Sequence, residues 1–286
     1  MDTTPQHPAS TTPHTFRGTE SETARWPEPE RIGWEELGPE FLKEWGYPDG
    51  NFFPEHLEIL GPTGSGKSFF EATILKERAR LRHSHIVVIA TKPADKTISA
   101  LGWPVVDTWP PNQWKKENRQ VIYWAKASSP DERGIAEQRA KVNELLHKLW
   151  KPDSNIVVAF DEIAYIEQEL GLKSMVMRYY REARALGITI VASTQRPQGV
   201  SRYMHSESSW AVFFAPKDED DAERMAQVAG SKKYWTPILL QLDRTQREFL
   251  MLCATTREAY ISQVTDTPIT VPTRRSEHTA KQVPTA

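Results

Sequence analysis

His56-Leu-Glu-Ile-Leu60-Gly61-Pro62-Thr63-Gly64-Ser65-Gly66-Lys67-Ser68 joins an apolar pentapeptide to a match to G-x-x-x-x-G-K-[ST], and residues 67–82 that follow are patterned as a helix. Average residue frequencies give a random chain of this length odds on the order of one per cent of containing such a match. The strand before it and the helix after it lower those odds further. The residue types answer a physical need. Glycines at 61, 64 and 66 are expected to let the backbone take conformations closed to other residues, so that successive N–H groups face phosphate oxygens at the positive end of a helix. Lys67 supplies a point charge for β- and γ-phosphates, and Ser68 a hydroxyl for Mg²⁺, which demands oxygen ligands. The expected cofactors are ATP and Mg²⁺, held by Gly61, Pro62, Thr63, Gly64, Ser65, Gly66, Lys67 and Ser68.

Outward from the loop, short β-branched runs alternate with helical stretches, the rhythm of a parallel sheet covered by helices. Strands are expected at 56–60, 86–90, 121–124, 156–160, 188–193, 211–214, 248–252 and 259–264. Helices are expected at 67–82, 131–150, 173–186 and 218–229, with Asp131 capping the second and Pro152 stopping it. The fold class is α/β, with a mostly parallel central sheet flanked by helices. The stretches 103–119 and 201–209 read as loops. Four segments result: a disordered N-terminal arm at 1–25, an irregular aromatic and Pro-rich segment at 26–53, the globular domain at 54–267, and a flexible tail at 268–286.

Asn155-Ile-Val-Val-Ala-Phe-Asp161-Glu162 is an apolar strand ending in two acids, the form of a Walker B. Carboxylates at the carboxyl edge of a buried parallel strand stand where such sheets bind ligands. Asp161 is the candidate to hold Mg²⁺, and Glu162 to orient or deprotonate an attacking water. The strand at 188–193 runs into Thr194-Gln195-Arg196-Pro197, and Gln195 is placed to reach a γ-phosphate.

The chain has 286 residues, 38% of them hydrophobic, 36 Lys and Arg against 38 Asp and Glu, and one cysteine. Near balance excludes a stand-alone nucleic-acid binder with a broad basic surface. The acids are concentrated early, eight against three bases in residues 1–40. No apolar run approaches the ~20 residues needed to span a bilayer, and the start Met-Asp-Thr-Thr-Pro lacks a signal-peptide pattern, so a cytoplasmic location without membrane insertion is expected. Cys253 reads as a strand hydrophobe. His83 and His85 have no Cys or acid cluster nearby in sequence, so no metal site is expected there, and Arg274, Arg275 and Lys281 read as a solvated tail. Trp103, Trp109 and Trp114 read as packing residues, as do Met175 and Met177 on their helix.

Taken together, these motifs resemble the FtsK/HerA superfamily of hexameric DNA-pumping ATPases. The likeness spans about 55–265. It includes the phosphate loop, Thr91-Lys92-Pro93 after the strand at 86–90, the Asp161-Glu162 pair, and Arg184-Ala-Leu-Gly187 leading to Thr194-Gln195-Arg196-Pro197. It continues through Val212-Phe-Phe-Ala-Pro-Lys-Asp-Glu-Asp-Asp-Ala-Glu-Arg-Met-Ala towards Gly230. The superfamily often has Asp-Pro-Lys where this chain has Ala90-Thr91-Lys92-Pro93. The resemblance implies a RecA-like P-loop NTPase fold, a homo-hexameric ring and DNA as substrate. Without the anchor of cell-division and conjugation pumps or a winged-helix reader in the sequence, a bare motor of phage or mobile-element kind is expected. Within the class, a packaging or coupling ATPase that takes its specificity from a recruiting partner protein stays open. The resemblance also implies an arginine finger acting in trans at Arg184, with Arg181 as the alternative; Lys67, Glu162, Gln195 and Arg184 are then the catalytic set. A second reading stays open, a nucleotide-switched assembly or secretion ATPase that does not act on DNA. Two other P-loop classes fit less well: no LSGGQ-like segment separates the two Walker motifs, and Thr91-Lys92-Pro93-Ala94-Asp95 is one residue too long for a guanine-reading Asn-Lys-x-Asp.

Overall fold

The computed structural model describes residues 26–46, 55–82, 85–92, 96–111 and 119–265. In chain order the elements are β1 (Glu30–Arg31), α1 (Trp34–Gly46), β2 (His56–Leu60), α2 (Lys67–Arg82), β3 (His85–Ala90), α3 (Lys96–Ser99), β4 (Val105–Val106) and β5 (Gln120–Trp124). Then follow α4 (Glu132–Leu149), β6 (Ile156–Phe160), a π-helical turn (Tyr165–Glu169), α5 (Lys173–Glu182), a 3-10 turn (Ala183–Leu186) and β7 (Ile188–Thr194). The chain continues through α6 (Arg202–Glu207), β8 (Ser208–Phe214), α7 (Glu219–Val228), α8 (Lys232–Leu240), β9 (Glu248–Cys253) and β10 (Glu258–Gln263). The expected arm at 1–25 and the tail at 268–286, with Arg274, Arg275 and Lys281, lie outside the described residues, as do His83 and Trp114.

The strands form one sheet in the order β1-β10-β9-β8-β2-β7-β6-β3-β5-β4. From β8 to β4 every pairing is parallel, and β9 and β10 add an antiparallel hairpin at one end. The parallel strands are apolar almost throughout because both faces are covered. Along β3, Val87 and Ile89 pack into a core with α4, α5, α7 and α8, while Ile86 and Val88 pack into a second core with α1 and α2. This is the expected helix-covered parallel sheet. The strand order carries the consequence for function: β7 lies between β2 and β6, so their carboxyl ends form one edge.

The structure corrects several local expectations. Residues 34–46, expected to be irregular, form α1, which buries Trp34, Leu37, Phe41, Leu42 and Trp45. Pro39 inside the helix concealed it, since proline costs an interior helix turn about 3 kcal/mol. Each large apolar side chain that is buried returns roughly 1.5–3 kcal/mol, so five of them outweigh the proline. Trp34 stands edge-on to Phe249, and Phe41 edge-on to Trp210. Buried Arg78 of α2 donates to the Trp45 carbonyl and to Thr189 Oγ1 at 3.1 Å, tying α1 to β7. Phe41→Ala should therefore lower unfolding free energy by about 3–5 kcal/mol in urea titration. A loss under about 1 kcal/mol would mean that α1 adds little to the core.

Other differences are smaller. The expected loop at 201–209 holds α6, capped by Ser201, and the start of β8. The helix expected over 173–186 ends at Glu182, tightens into the 3-10 turn, and stops at Gly187, whose φ of 77° is left-handed. Helix α8 went unread because Pro237 interrupts its pattern. Asp131 caps α4 as expected, accepting from Arg133 N at 3.1 Å and Gly134 N at 3.3 Å. Cys253 is buried in β9, and Trp103 and Trp109 pack against the cores.

Candidate active site

The loop between β2 and α2 has the shape its sequence requires, for two different reasons. Gly64 and Gly66 have φ of 78° and 108°, which other residues rarely adopt. Gly61 is needed for room instead: a Cβ there would lie 2.6 Å from the Cβ of Phe214. The loop is anchored to its neighbour strand by Gly61 N donating to Thr194 O at 3.3 Å. Two buried donors fit it for a polyphosphate. The Ser65 hydroxyl has no hydrogen-bond partner among the described residues. Lys67, 7% exposed, has no acid within ion-pair distance among them. Burial pushes the Lys67 ammonium below its ordinary pKa, while Glu162, Glu71 and Asp161 oppose that shift and favour its charge. The nearby Lys92 adds to the downward pull.

Asp161 and Glu162 follow β6 directly, and their surroundings differ. Asp161 is buried and lies 3.5 Å from the hydroxyl of Thr91. Glu162 accepts two hydrogen bonds from the end of β7: Thr194 Oγ1 at 2.9 Å and Gln195 N at 3.3 Å. Gln195 in turn accepts from Thr63 Oγ1 at 2.6 Å. A chain of contacts thus runs from the phosphate loop through Gln195 to Glu162. Thr63 was expected in the phosphate loop, but its bond to Gln195 was not, and Thr194 is the member that sequence reading did not single out; its signal was only its place beside Gln195. Behind Lys67, fully buried Glu71 of α2 accepts from Ser193 Oγ at 2.5 Å.

Ser68 and Asp161 are the oxygen donors that fit Mg²⁺, which commonly takes one or two protein ligands and completes its shell with phosphate oxygens and water. Among the described residues no group of three or more His, Cys, Asp or Glu is placed to hold a metal ion without a phosphate. Beside the loop opens a cleft of 570 Å³ whose lining includes Thr63, Gln195, Arg196, Lys217 and Arg244.

Arg184 lies elsewhere. It sits in the 3-10 turn before β7 and donates to Glu207 O at 2.9 Å and Ser209 Oγ at 3.4 Å. Its charge and burial together hold the His56 imidazole neutral, its pKa pushed down to about 3, with burial the larger cause. Gln195 follows the other end of β7. Seven residues at ~3.3 Å each put Arg184 roughly 20 Å from this chain's own loop. Arg181, the alternative, lies over the ring of Tyr203 at 5.8 Å, and Arg178 pairs with Glu182 at 3.0 Å.

No family model matches this chain, and no curated protein matches it by sequence. Solved structures do. The chain is similar to VirB4 of Thermoanaerobacter pseudethanolicus, with TM-score 0.57 and 11% identity over 74% of this chain and 90% of that one. It is also similar to B204, the DNA-packaging ATPase from Sulfolobus Turreted Icosahedral Virus, with TM-score 0.55 and 14% identity over 74% and 98% of the two chains. The genome packaging NTPase B204 from Sulfolobus turreted icosahedral virus 2, in complex with AMPPCP, gives TM-score 0.54 and 11% identity over 76% and 100%. At these identities the likeness establishes the fold, a RecA-like P-loop ATPase fold with a mostly parallel sheet, in agreement with the motifs. Among the described residues no helix is long and apolar enough to cross a membrane.

Proposed function

We propose that this chain is an ATP-hydrolysing motor of the FtsK/HerA type, which assembles as a ring and moves or transfers DNA. The observation that carries the hydrolytic part is the contact chain Thr63–Gln195–Glu162–Thr194, which joins the phosphate loop to a carboxylate held by two donors. Lys67 and the loop N–H groups hold the β- and γ-phosphates in line. Glu162, fixed by Thr194 and the Gln195 N–H, takes a proton from the attacking water. Gln195, whose Oε1 accepts from Thr63, donates from its amide NH₂ to a γ-phosphate oxygen, and so reports whether the phosphate is present. Bound Mg²⁺ supplies positive charge against the charge that develops on the phosphate oxygens.

The ring is supported by the resemblance and by the length of β7, which keeps Arg184 from this chain's own loop; in this reading Arg184 exchanges its bonds to Glu207 O and Ser209 Oγ for a neighbour's γ-phosphate. DNA rests on the Thr194-Gln195-Arg196-Pro197 pattern and on the likeness to an enzyme that packages DNA. The near balance of charge favours a second reading, a nucleotide-switched assembly ATPase without DNA.

Single-turnover ATP hydrolysis with and without duplex DNA, at stated salt, separates the two. Stimulation by DNA supports the motor; unchanged rates in DNA that demonstrably reaches the protein support the second reading. Trans action is tested by mixing. Arg184→Ala should be nearly inactive because an arginine finger is worth about 10³–10⁵ in rate, and Lys67→Ala because it loses the loop cation that holds the β- and γ-phosphates. Together they should recover activity where a Lys67-intact site receives Arg184 from its neighbour. Mixed oligomers seen by native mass spectrometry without recovery would count against a finger in trans, and a fully active monomer would eliminate the ring.

A further inference from the structure

On its β8 and β9 side the phosphate loop is bordered by the turn 243–247, between α8 and β9, whose Arg244 reaches the cleft that Gln195 also lines. This turn is held rigidly. Asp243 Oδ1 accepts from Thr245 N at 2.7 Å, Thr245 Oγ1 at 2.6 Å and Gln246 N at 3.2 Å, bonds that hold its carboxyl below the usual carboxylate range. Asp243 N donates to Glu248 Oε2 at 2.8 Å, and Glu248 is itself paired with Arg31. Within this frame Arg247 takes φ of 54°, a left-handed conformation that a non-glycine residue keeps only when its surroundings impose it.

The conformation lays the Arg247 side chain along the loop. A Cβ built on Gly66 would lie 3.2 Å from Phe214 Cε1, 3.3 Å from Arg247 Cβ and 3.4 Å from its Cδ, so the Arg247 side chain packs closely on the loop at Gly66. The guanidinium stands 5.8 Å over the ring of Phe69, the residue after Ser68. Arg244, three residues earlier, donates from Nη2 to the Thr63 carbonyl at 3.3 Å. Among the described residues no carboxylate forms an ion pair with either arginine.

The two flanks of the loop receive opposite ends of a nucleotide. Glu162 and Gln195, assigned to the γ-phosphate in the hydrolytic reading above, stand on the β6 and β7 side, and that assignment directs the α-phosphate and nucleoside to the β8 and β9 side. We propose that Arg247 is a nucleotide-binding residue acting within its own chain: its guanidinium takes the α-phosphate through its planar pair of donors, and the Phe69 ring walls the ribose. Arg244 is a positioning residue that holds the loop through Thr63. The proposal rests on the ATP-binding reading above and names which end of the nucleotide this flank recognises.

Calorimetric titration of the full chain with Mg-ADP and with the slowly hydrolysed Mg-ATPγS tests it, on wild type, Arg247→Gly and Arg247→Lys. Glycine suits a left-handed φ, so Arg247→Gly should melt at the wild-type temperature or above while losing about 10- to 100-fold affinity for both nucleotides alike. Arg247→Lys keeps a charge without the fork and should lose less than about tenfold. Wild-type affinity in Arg247→Gly would overturn the proposal. Loss confined to ATPγS would overturn it too, by moving the guanidinium to the γ-phosphate. A melting temperature several degrees lower, tracking the affinity loss, would make Arg247 a prop for the loop rather than a ligand. Wild type that binds neither nucleotide would overturn the phosphate-loop reading itself, and this proposal with it.

Discussion

Glu162→Gln is expected to slow single-turnover ATP hydrolysis by about 10²–10⁴-fold while ATP affinity stays within about threefold of wild type. The geometry explains why the two effects separate. Glu162 meets the protein through Thr194 Oγ1 and Gln195 N, at 2.9 and 3.3 Å. A glutamine keeps one oxygen to accept from the Gln195 amide, and the Thr194 hydroxyl can turn to accept from the new NH₂ group. Position is therefore kept, and the proton acceptor is lost. Lys67 and the loop backbone, which set binding, keep their positions, and Glu71 and Asp161 still favour the Lys67 charge when Glu162 is neutralised. Rapid-quench turnover and calorimetric binding on the same preparation measure both. Turnover within threefold of wild type would remove Glu162 as the general base and leave Asp161 as the sole acidic candidate of the pair.

Lys67→Ala is expected to weaken ATP binding by about 100-fold or more. Lys67 is the only cation of the loop 61–68, and it is desolvated, 7% exposed, which strengthens its attraction for phosphate. Burial has already drawn its pKa down, and Glu162, Glu71 and Asp161 oppose that shift. The folded-state pKa is thus below the unfolded value. Protonation of this lysine favours the unfolded chain, and its shift lowers stability from below the folded pKa up through the unfolded one; bound phosphate offsets that cost by favouring the charged form. The same acids complicate the variant, since removing the ammonium leaves buried Glu71 with less compensating charge. Melting of the nucleotide-free variant should be recorded beside the titration. Lys67→Arg keeps the charge and should still bind poorly, because a planar guanidinium does not fit a slot built for an ammonium. Unchanged ATP affinity in Lys67→Ala would sink the phosphate-loop assignment.

The parts of the site legible in the sequence share one property: each is a local unit. The strand, glycine loop and helix at 56–82 are consecutive, so their turn chemistry and period could be read directly. The same holds for the apolar strand ending at Asp161-Glu162 and for β7 running into Gln195. Residues 34–46 show how local reading fails. Their apolar spacing is helical, but Pro39 lowers the local preference, and what restores the helix is burial against Phe70, Phe249 and Trp210, distant in sequence.

Residue order alone supplies the chemistry on offer: a phosphate loop with Lys67 and Ser68, two acids at a strand end, a glutamine at another, and an α/β alternation to carry them. The tertiary structure decided their relations. It set β7 between β2 and β6, hydrogen-bonded Thr63 to Gln195 across 132 residues and Arg244 to Thr63 across 181, and placed Arg184 at the far end of β7. Periodicity records only which face of each strand or helix is apolar. Several strands here are apolar on both faces and would pair acceptably with one another, so their order is fixed by how helices of given length and bulk pack across the whole sheet.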